Sequence, residues 1–318
     1  MTRPRSQIAP LHSPGAFHCV QRCVRRAFLC GVDRYSGQSF EHRRGWIEQR
    51  IRLVAECFAV AIDAYAVMSN HLHLVLRIEP GETLRWTEDK VAARWVRLFP
   101  PREDSEAAIE AKCLRLLTDP QRIRTLRERL GSLSWLMRCL VEPIARRANR
   151  EDGCKGRFWE GRYKCQALCD ERAILAAMAY VDLNPIRAGM ADRLETSAHT
   201  SAAERASQAK KDPASASLPL KPVAGSLRPT FDLTVADYLQ ILDWTGRQLA
   251  QGKRGCISPD APAVLSTIDH EGTRWATRVA AFGSGWHRAA GSAQDLMALA
   301  EQMGQQWLAG LRLALKLG

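Results

Sequence analysis

The chain has no apolar run near the roughly 20 residues that cross a bilayer, and Met1 to Pro14 lacks the apolar segment of a signal peptide. These absences point to a protein of the cytoplasm with no membrane partner. No C-x-x-C pair occurs among the ten cysteines, which excludes a zinc knuckle and leaves reduced, mostly buried thiols. Cys165 and Cys169 could share a helical face, but no second pair completes a tetrahedral site. No internal repeat marks a solenoid. Acidic residues are scarce: Asp and Glu number 34 against 46 Lys and Arg, a net charge of +12. That balance suits a polyanionic partner better than an acidic small molecule. Aromatic residues make up 7%, and the five tyrosines are Tyr35, Tyr65, Tyr163, Tyr180 and Tyr238.

What is present is an alternation of strand and helix signals. Ala16 to Val24 has the β-branched and aromatic content of a short strand and runs into a basic stretch with Arg25 and Arg26. From His42 to Ile62, the apolar residues Ile47, Ile51, Val54, Phe58 and Ile62 recur at helical spacing. Asp63 to Ile78 reads as a hairpin, with Ser69 and Asn70 at the turn. A helix over Thr83 to Phe99 stops at Pro100 and Pro101, and residues 102–130 are charged and helical in character. A further helix covers Leu133 to Asn149, which Pro143 should kink or restart. After the glycine-rich turn at Glu151 to Lys164, Asp170 caps a helix that stops at Asn184-Pro185. Residues 196–230, rich in Ser, Ala, Lys and Pro, read as a flexible linker, and 231–318 as a helical C-terminal module.

The tripeptide His71-Leu72-His73 carries the most chemistry. On a strand, positions i and i+2 project to one face, so both imidazoles can reach one ion while Leu72, Leu74, Leu76 and Ile78 face the core. Zinc would ask for a third or fourth nitrogen or sulfur ligand nearby. Mg²⁺ or Mn²⁺ would accept two imidazoles, an amide or carboxylate oxygen and a substrate phosphate. His18 on the first strand reads as a packed or hydrogen-bonded histidine instead of a ligand. In the turn, Lys155, Arg157, Arg162 and Lys164 interleave with Phe158, Trp159 and Tyr163, a pattern that neutralises phosphates and can stack Trp159 on an unpaired base. The competing reading is that Phe158 and Trp159 are core. Arg25, Arg26, Arg43, Arg44, Arg146, Arg147 and Arg150 suit sequence-independent contacts to a phosphate backbone.

Three separated segments, SNHLHLVL, ANREDGCKGRFWEGRYK and YVDLNPIRAGM, resemble the REP-associated tyrosine transposases, a branch of the single-tyrosine HUH transposases related to the insertion-sequence 200 group. The resemblance covers roughly residues 15–195 and leaves the C-terminal module unexplained. It implies an α+β fold, a ferredoxin-like antiparallel sheet with flanking helices. It implies metal-dependent cleavage and strand transfer on single-stranded or hairpin DNA, with a homodimer allowed. Ligand positions fall on His71 and His73, with Asn149 as the usual oxygen ligand and Glu142 as a weaker candidate. The resemblance places the tyrosine nucleophile one to two turns before Asn149, yet residues 140–148 contain none. Tyr163, inside the GRYK segment, is then the candidate nucleophile, with packing or DNA contact as its other roles. A metal-activated water, as in a small phosphodiesterase, and a domesticated hairpin-binding module without cleavage are the rival readings.

Overall fold

The computed structural model describes residues 8, 10, 13–24, 29–33, 37–103, 105–191, 194, 196–250 and 272–318. Arg25 and Arg26 therefore lie outside the described residues. The fold is α+β, a six-stranded mixed sheet with helices on both faces. Strand β1 (Gly15–Arg22) leads to helix α1 (Arg43–Cys57) and then to the hairpin β2 (Val60–Val67) and β3 (His71–Ile78). Helices α2 (Glu88–Leu98), α3 (Glu106–Leu117), α4 (Pro120–Leu130) and α5 (Leu133–Glu151) carry the chain to β4 (Lys164–Leu168). These four strands lie in the antiparallel order β2-β3-β1-β4, the ferredoxin-like arrangement of two split β-α-β units.

The hairpin forms where its turn chemistry sits. Ser69 and Asn70 close it, and the Met68 amide bonds the His71 carbonyl at 2.9 Å. Each strand then buries what its period dictates. In β3 Leu72, Leu74, Leu76 and Ile78 are buried on the face turned to α1, where Tyr65, the register partner of Leu74, hydrogen-bonds Glu48. Every residue of β2 is buried, an apolar strand covered from both sides and interrupted only by Asp63, whose carboxylate accepts from Arg77. That explains why the expected helix over residues 42–62 ends early: Phe58 and Ile62 fall in helical phase, but Phe58 is already extended and Ile62 belongs to β2. Pro143 does not restart α5, which runs unbroken from Leu133 to Glu151.

The opposite face is covered by α6 (Glu171–Asp182), capped by Asp170 on the Ala173 amide, and by the single turn α7 (Asn184–Arg187). Residues 196–230, expected as a linker, instead carry α8 (Ser201–Lys211) and the two-residue strand β5 (Ala224–Gly225). Ser197, Thr200, Ser201 and Arg205 are buried there, and β5 pairs with β2. Small serines and alanines read as linker composition, yet here they allow α8 to lie close to the sheet. Helix α9 (Val235–Ala250) and helix α10 (Gly272–Ala280) pack on α6. Strand β6 (Ala289–Ala290) extends the sheet parallel to β4, followed by α11 (Ala293–Gln302) and α12 (Leu311–Leu317). The C-terminal third thus joins the core through α6 and through β6. No described helix is long and apolar enough to cross a membrane, and the nine described cysteines are free.

Candidate functional site

His71 and His73 project from β3 on the face covered by α6 and α7, their ring centroids 4.7 Å apart. A cleft of about 490 Å³ opens over them. On the neighbouring strand His18 stacks on His73 at 5.2 Å between centroids, so the first strand adds a third imidazole to the pair. From the helical side come Tyr180, whose ring lies 5.9 Å from that of His73, and Asn184, whose amide nitrogen is 2.9 Å from His73 Nε2. Tyr180 lies in the last turn of α6 and Asn184 opens α7, one turn further on, which is why both reach the same histidine. Arg187 holds its guanidinium 4.6 Å from the centre of the Tyr180 ring.

Hydrogen bonds decide which ring nitrogens stay available. The Asn70 amide oxygen takes the His71 Nδ1 proton at 2.6 Å, leaving His71 Nε2 with a lone pair. His73 Nδ1 meets His18 Nε2 at 2.9 Å, and His18 Nδ1 meets the Gln166 amide oxygen at 2.7 Å. Burial pushes His18 and His71 down to about 4, and His73 well below the ordinary imidazole value, with the nearby Arg187 charge adding to the effect on His73. All three rings are neutral at pH 7.

Among the described residues no three His, Cys, Asp or Glu side chains are arranged to hold a metal together. The groups that the cleft brings together are His71 Nε2, His73 Nε2 and the Asn184 side-chain amide. The amide nitrogen donates to His73 Nε2 and would have to turn away for an ion to take that lone pair and the amide oxygen. His18 is not free to join them, because its Nε2 is used by His73. Two imidazoles and an amide fit a hard cation that completes its shell with phosphate and water oxygens, and not a closed zinc site.

The remaining sequence-derived candidates fall elsewhere. Asn149 does not meet the histidines: its side-chain amide donates to the Gly156 carbonyl at 2.9 Å, bracing the turn after α5. Glu142 accepts from Arg138 and Arg146 on the same helix. Tyr163 is packed in the core at 6% exposure and does not line the cleft. Trp159 is also buried, its Nε1 donating to the Val141 carbonyl at 2.8 Å, so neither ring face is open to a base. Arg43 and Arg44 are buried too, Arg43 on Glu151 and Asp152, Arg44 on Glu41 and the Val67 carbonyl. By contrast Arg146, Arg147, Arg150, Lys155, Arg157, Arg162 and Lys164 are exposed. Arg162 and Lys164 line the cleft together with Arg22.

No protein-family model matches the chain, and no curated protein matches it. Among solved structures, that of a REP-associated tyrosine transposase bound to a REP hairpin is similar at 13% identity and a TM-score of 0.32, over 69% of this chain and 90% of that one.

Tyr180, Asn184 and Gln166 are absent from the sequence-derived candidates, whereas His18 is the buried, hydrogen-bonded histidine expected on the first strand. The first two stand in the quoted segment YVDLNPIRAGM, so the signal was present. Its Asn184-Pro185 pair marks a helix end, and the same segment carries the cleft's phenol and amide.

Proposed function

We propose that the protein is a transposase of the REP-associated tyrosine type, which nicks and rejoins single-stranded or hairpin DNA in the cytoplasm through Tyr180. The observation that carries the proposal is the convergence of Tyr180 and Asn184 on His73, beside His71, in a cleft edged by Arg22, Arg162 and Lys164. Mg²⁺ or Mn²⁺ would be held by His71 Nε2, His73 Nε2 and the Asn184 amide oxygen. Once bound, such an ion draws charge from a phosphate oxygen and opens the phosphorus to attack.

The chain's own groups do the rest. The Tyr180 phenol oxygen forms a bond to phosphorus while the bond from phosphorus to the 3′ oxygen breaks. The products are a 5′-phosphotyrosine and a 3′ hydroxyl, the proton lost by the phenol being matched by the one gained at the 3′ oxygen. An incoming 3′ hydroxyl reverses the step and releases the tyrosine. Arg187, stacked on the ring, fixes its angle of approach. Gly283 lies against this pair, where a Cβ would stand 3.3 Å from Arg187 Nη2 and press on the guanidinium that braces the ring. The exposed arginines and lysines position the strand by its phosphates without reading its sequence.

Calorimetry with Mn²⁺ and cleavage of an end-labelled DNA hairpin test this on His71→Ala and His73→Ala. Both variants should lose Mn²⁺ binding and cleavage while still retaining the hairpin. Unchanged Mn²⁺ affinity in both would sink the metal site, and wild-type protein that binds hairpins without cutting them would leave a recognition module.

A further inference from the structure

His73 can serve a cation only if its proton sits on Nδ1, and nothing in the imidazole itself guarantees that. We infer that Gln166 and His18 are positioning residues that fix the His73 tautomer, and that the C-terminal residues set the relay through the Trp286 backbone carbonyl. The inference rests on the cation reading above for its purpose, but its geometry is independent of any ion.

The relay has one starting point. Gln166 Nε2 lies 2.7 Å from the Trp286 carbonyl oxygen. A carbonyl only accepts, so the amide nitrogen must face it and the amide oxygen must face His18. That oxygen takes the His18 Nδ1 proton at 2.7 Å, which leaves His18 Nε2 with a lone pair. His18 Nε2 in turn takes the His73 Nδ1 proton at 2.9 Å, so the lone pair of His73 stands on Nε2, where it accepts from the Asn184 amide nitrogen at 2.9 Å. Reversing every bond would turn the Gln166 oxygen onto the Trp286 oxygen, two acceptors in contact.

The sheet register makes the relay possible. His18 and Gln166 are direct partners across β1 and β4, so their side chains share a face. His18 and His73 are 2% and 4% exposed, which keeps water from replacing either hydrogen bond. Trp286 is itself buried, with its Nε1 donating to the Arg278 carbonyl at 3.2 Å, so its backbone is held in place. The tautomer of a histidine in β3 is therefore set by a backbone atom more than two hundred residues away. Groups that hold the second nitrogen of a metal-binding histidine commonly change metal affinity by about 10–100-fold.

The test uses the full chain and two variants. Gln166→Leu keeps the bulk and removes the acceptor, whereas Gln166→Glu, as the neutral acid, keeps an acceptor for His18 and a hydroxyl that can donate to the Trp286 carbonyl. Two-bond proton–nitrogen NMR correlations on metal-free protein read the tautomers directly, and Mn²⁺ calorimetry reads their consequence. Wild type and Gln166→Glu should show His18 and His73 protonated on Nδ1. Gln166→Leu should shift His73 toward protonation on Nε2 and weaken Mn²⁺ binding by about 10–100-fold. A wild-type His73 protonated on Nε2, or a Gln166→Leu protein with both tautomers and Mn²⁺ affinity unchanged, would overturn the relay. Correct wild-type tautomers without any Mn²⁺ binding would support the relay and remove the cation reading instead.

Discussion

Burial keeps His18, His71 and His73 uncharged at neutral pH, and that has a cost which can be measured. Folded His18 titrates at about 4, whereas in the unfolded chain it returns to the ordinary value of 6.5. Below pH 6.5 the unfolded state therefore binds a proton that the folded state refuses. Stability is complete above that pH and falls as the pH drops toward 4, by about 3 kcal/mol for this group over the whole window. Urea unfolding at pH 7 and pH 5, above the range of ordinary carboxylates, should show the decline in wild type and a smaller one in His18→Asn. Equal stability at both pH values would contradict it. The two asparagines separate as sharply. Asn184→Ala should weaken Mn²⁺ binding by roughly tenfold or more, and Asn149→Ala should leave it unchanged in the same calorimeter, because Asn149 braces a turn far from the histidines.

At the scale of elements, the site depends on how firmly α6 is tied down. Asp182, at the end of that helix, is fully buried and accepts from Tyr238 Oη at 2.6 Å, from the Ser201 hydroxyl and from the Ala202 amide at 2.9 Å. One carboxylate thus joins α6 to α8 and α9 two residues after Tyr180. Asp182→Ala would strand three donors and the nearby Arg205 charge, and should cost about 3–5 kcal/mol in urea unfolding. A loss under 1 kcal/mol would mean that α6 is held by packing alone. The same helix shows what a sequence can and cannot reveal. The hairpin and its paired histidines were legible, because alternation along β3 and the Ser69-Asn70 turn are local signals. Tyr180 was not. Nearly every residue of α6 is buried, so no apolar stripe marks which side meets the sheet. The resemblance points to α5 for the nucleophile, and that helix supplies no residue to the cleft. Trp159 and Arg43 misled for a related reason: aromatic and basic residues suggest DNA contact, and only tertiary packing reveals that these serve the core.

For the whole molecule, the C-terminal third is part of the architecture. Strands β5 and β6 occupy the two edges of the sheet, α9 and α10 cover α6, and Phe282, Gly283 and Trp286 line the cleft. Cutting the chain after residue 195 would expose the outer edges of β2 and β4 and the outer side of α6. The truncated protein should aggregate, or lose the near-ultraviolet dichroism of its packed aromatics, and not bind Mn²⁺. A soluble fragment of residues 1–195 with wild-type Mn²⁺ affinity would assign the later helices another role. Hairpin binding should weaken steeply with salt, as the exposed cations displace counterions from the phosphates. The central claim is that Tyr180 attacks the DNA. Peptide mapping by mass spectrometry, after wild-type protein has reacted with a cleavable DNA hairpin and Mn²⁺, tests it most directly. The account requires a nucleotide adduct on Tyr180, absent in Tyr180→Phe and retained in Tyr163→Phe. Nicked DNA with Tyr180 unmodified, or an adduct on Tyr163, would contradict it.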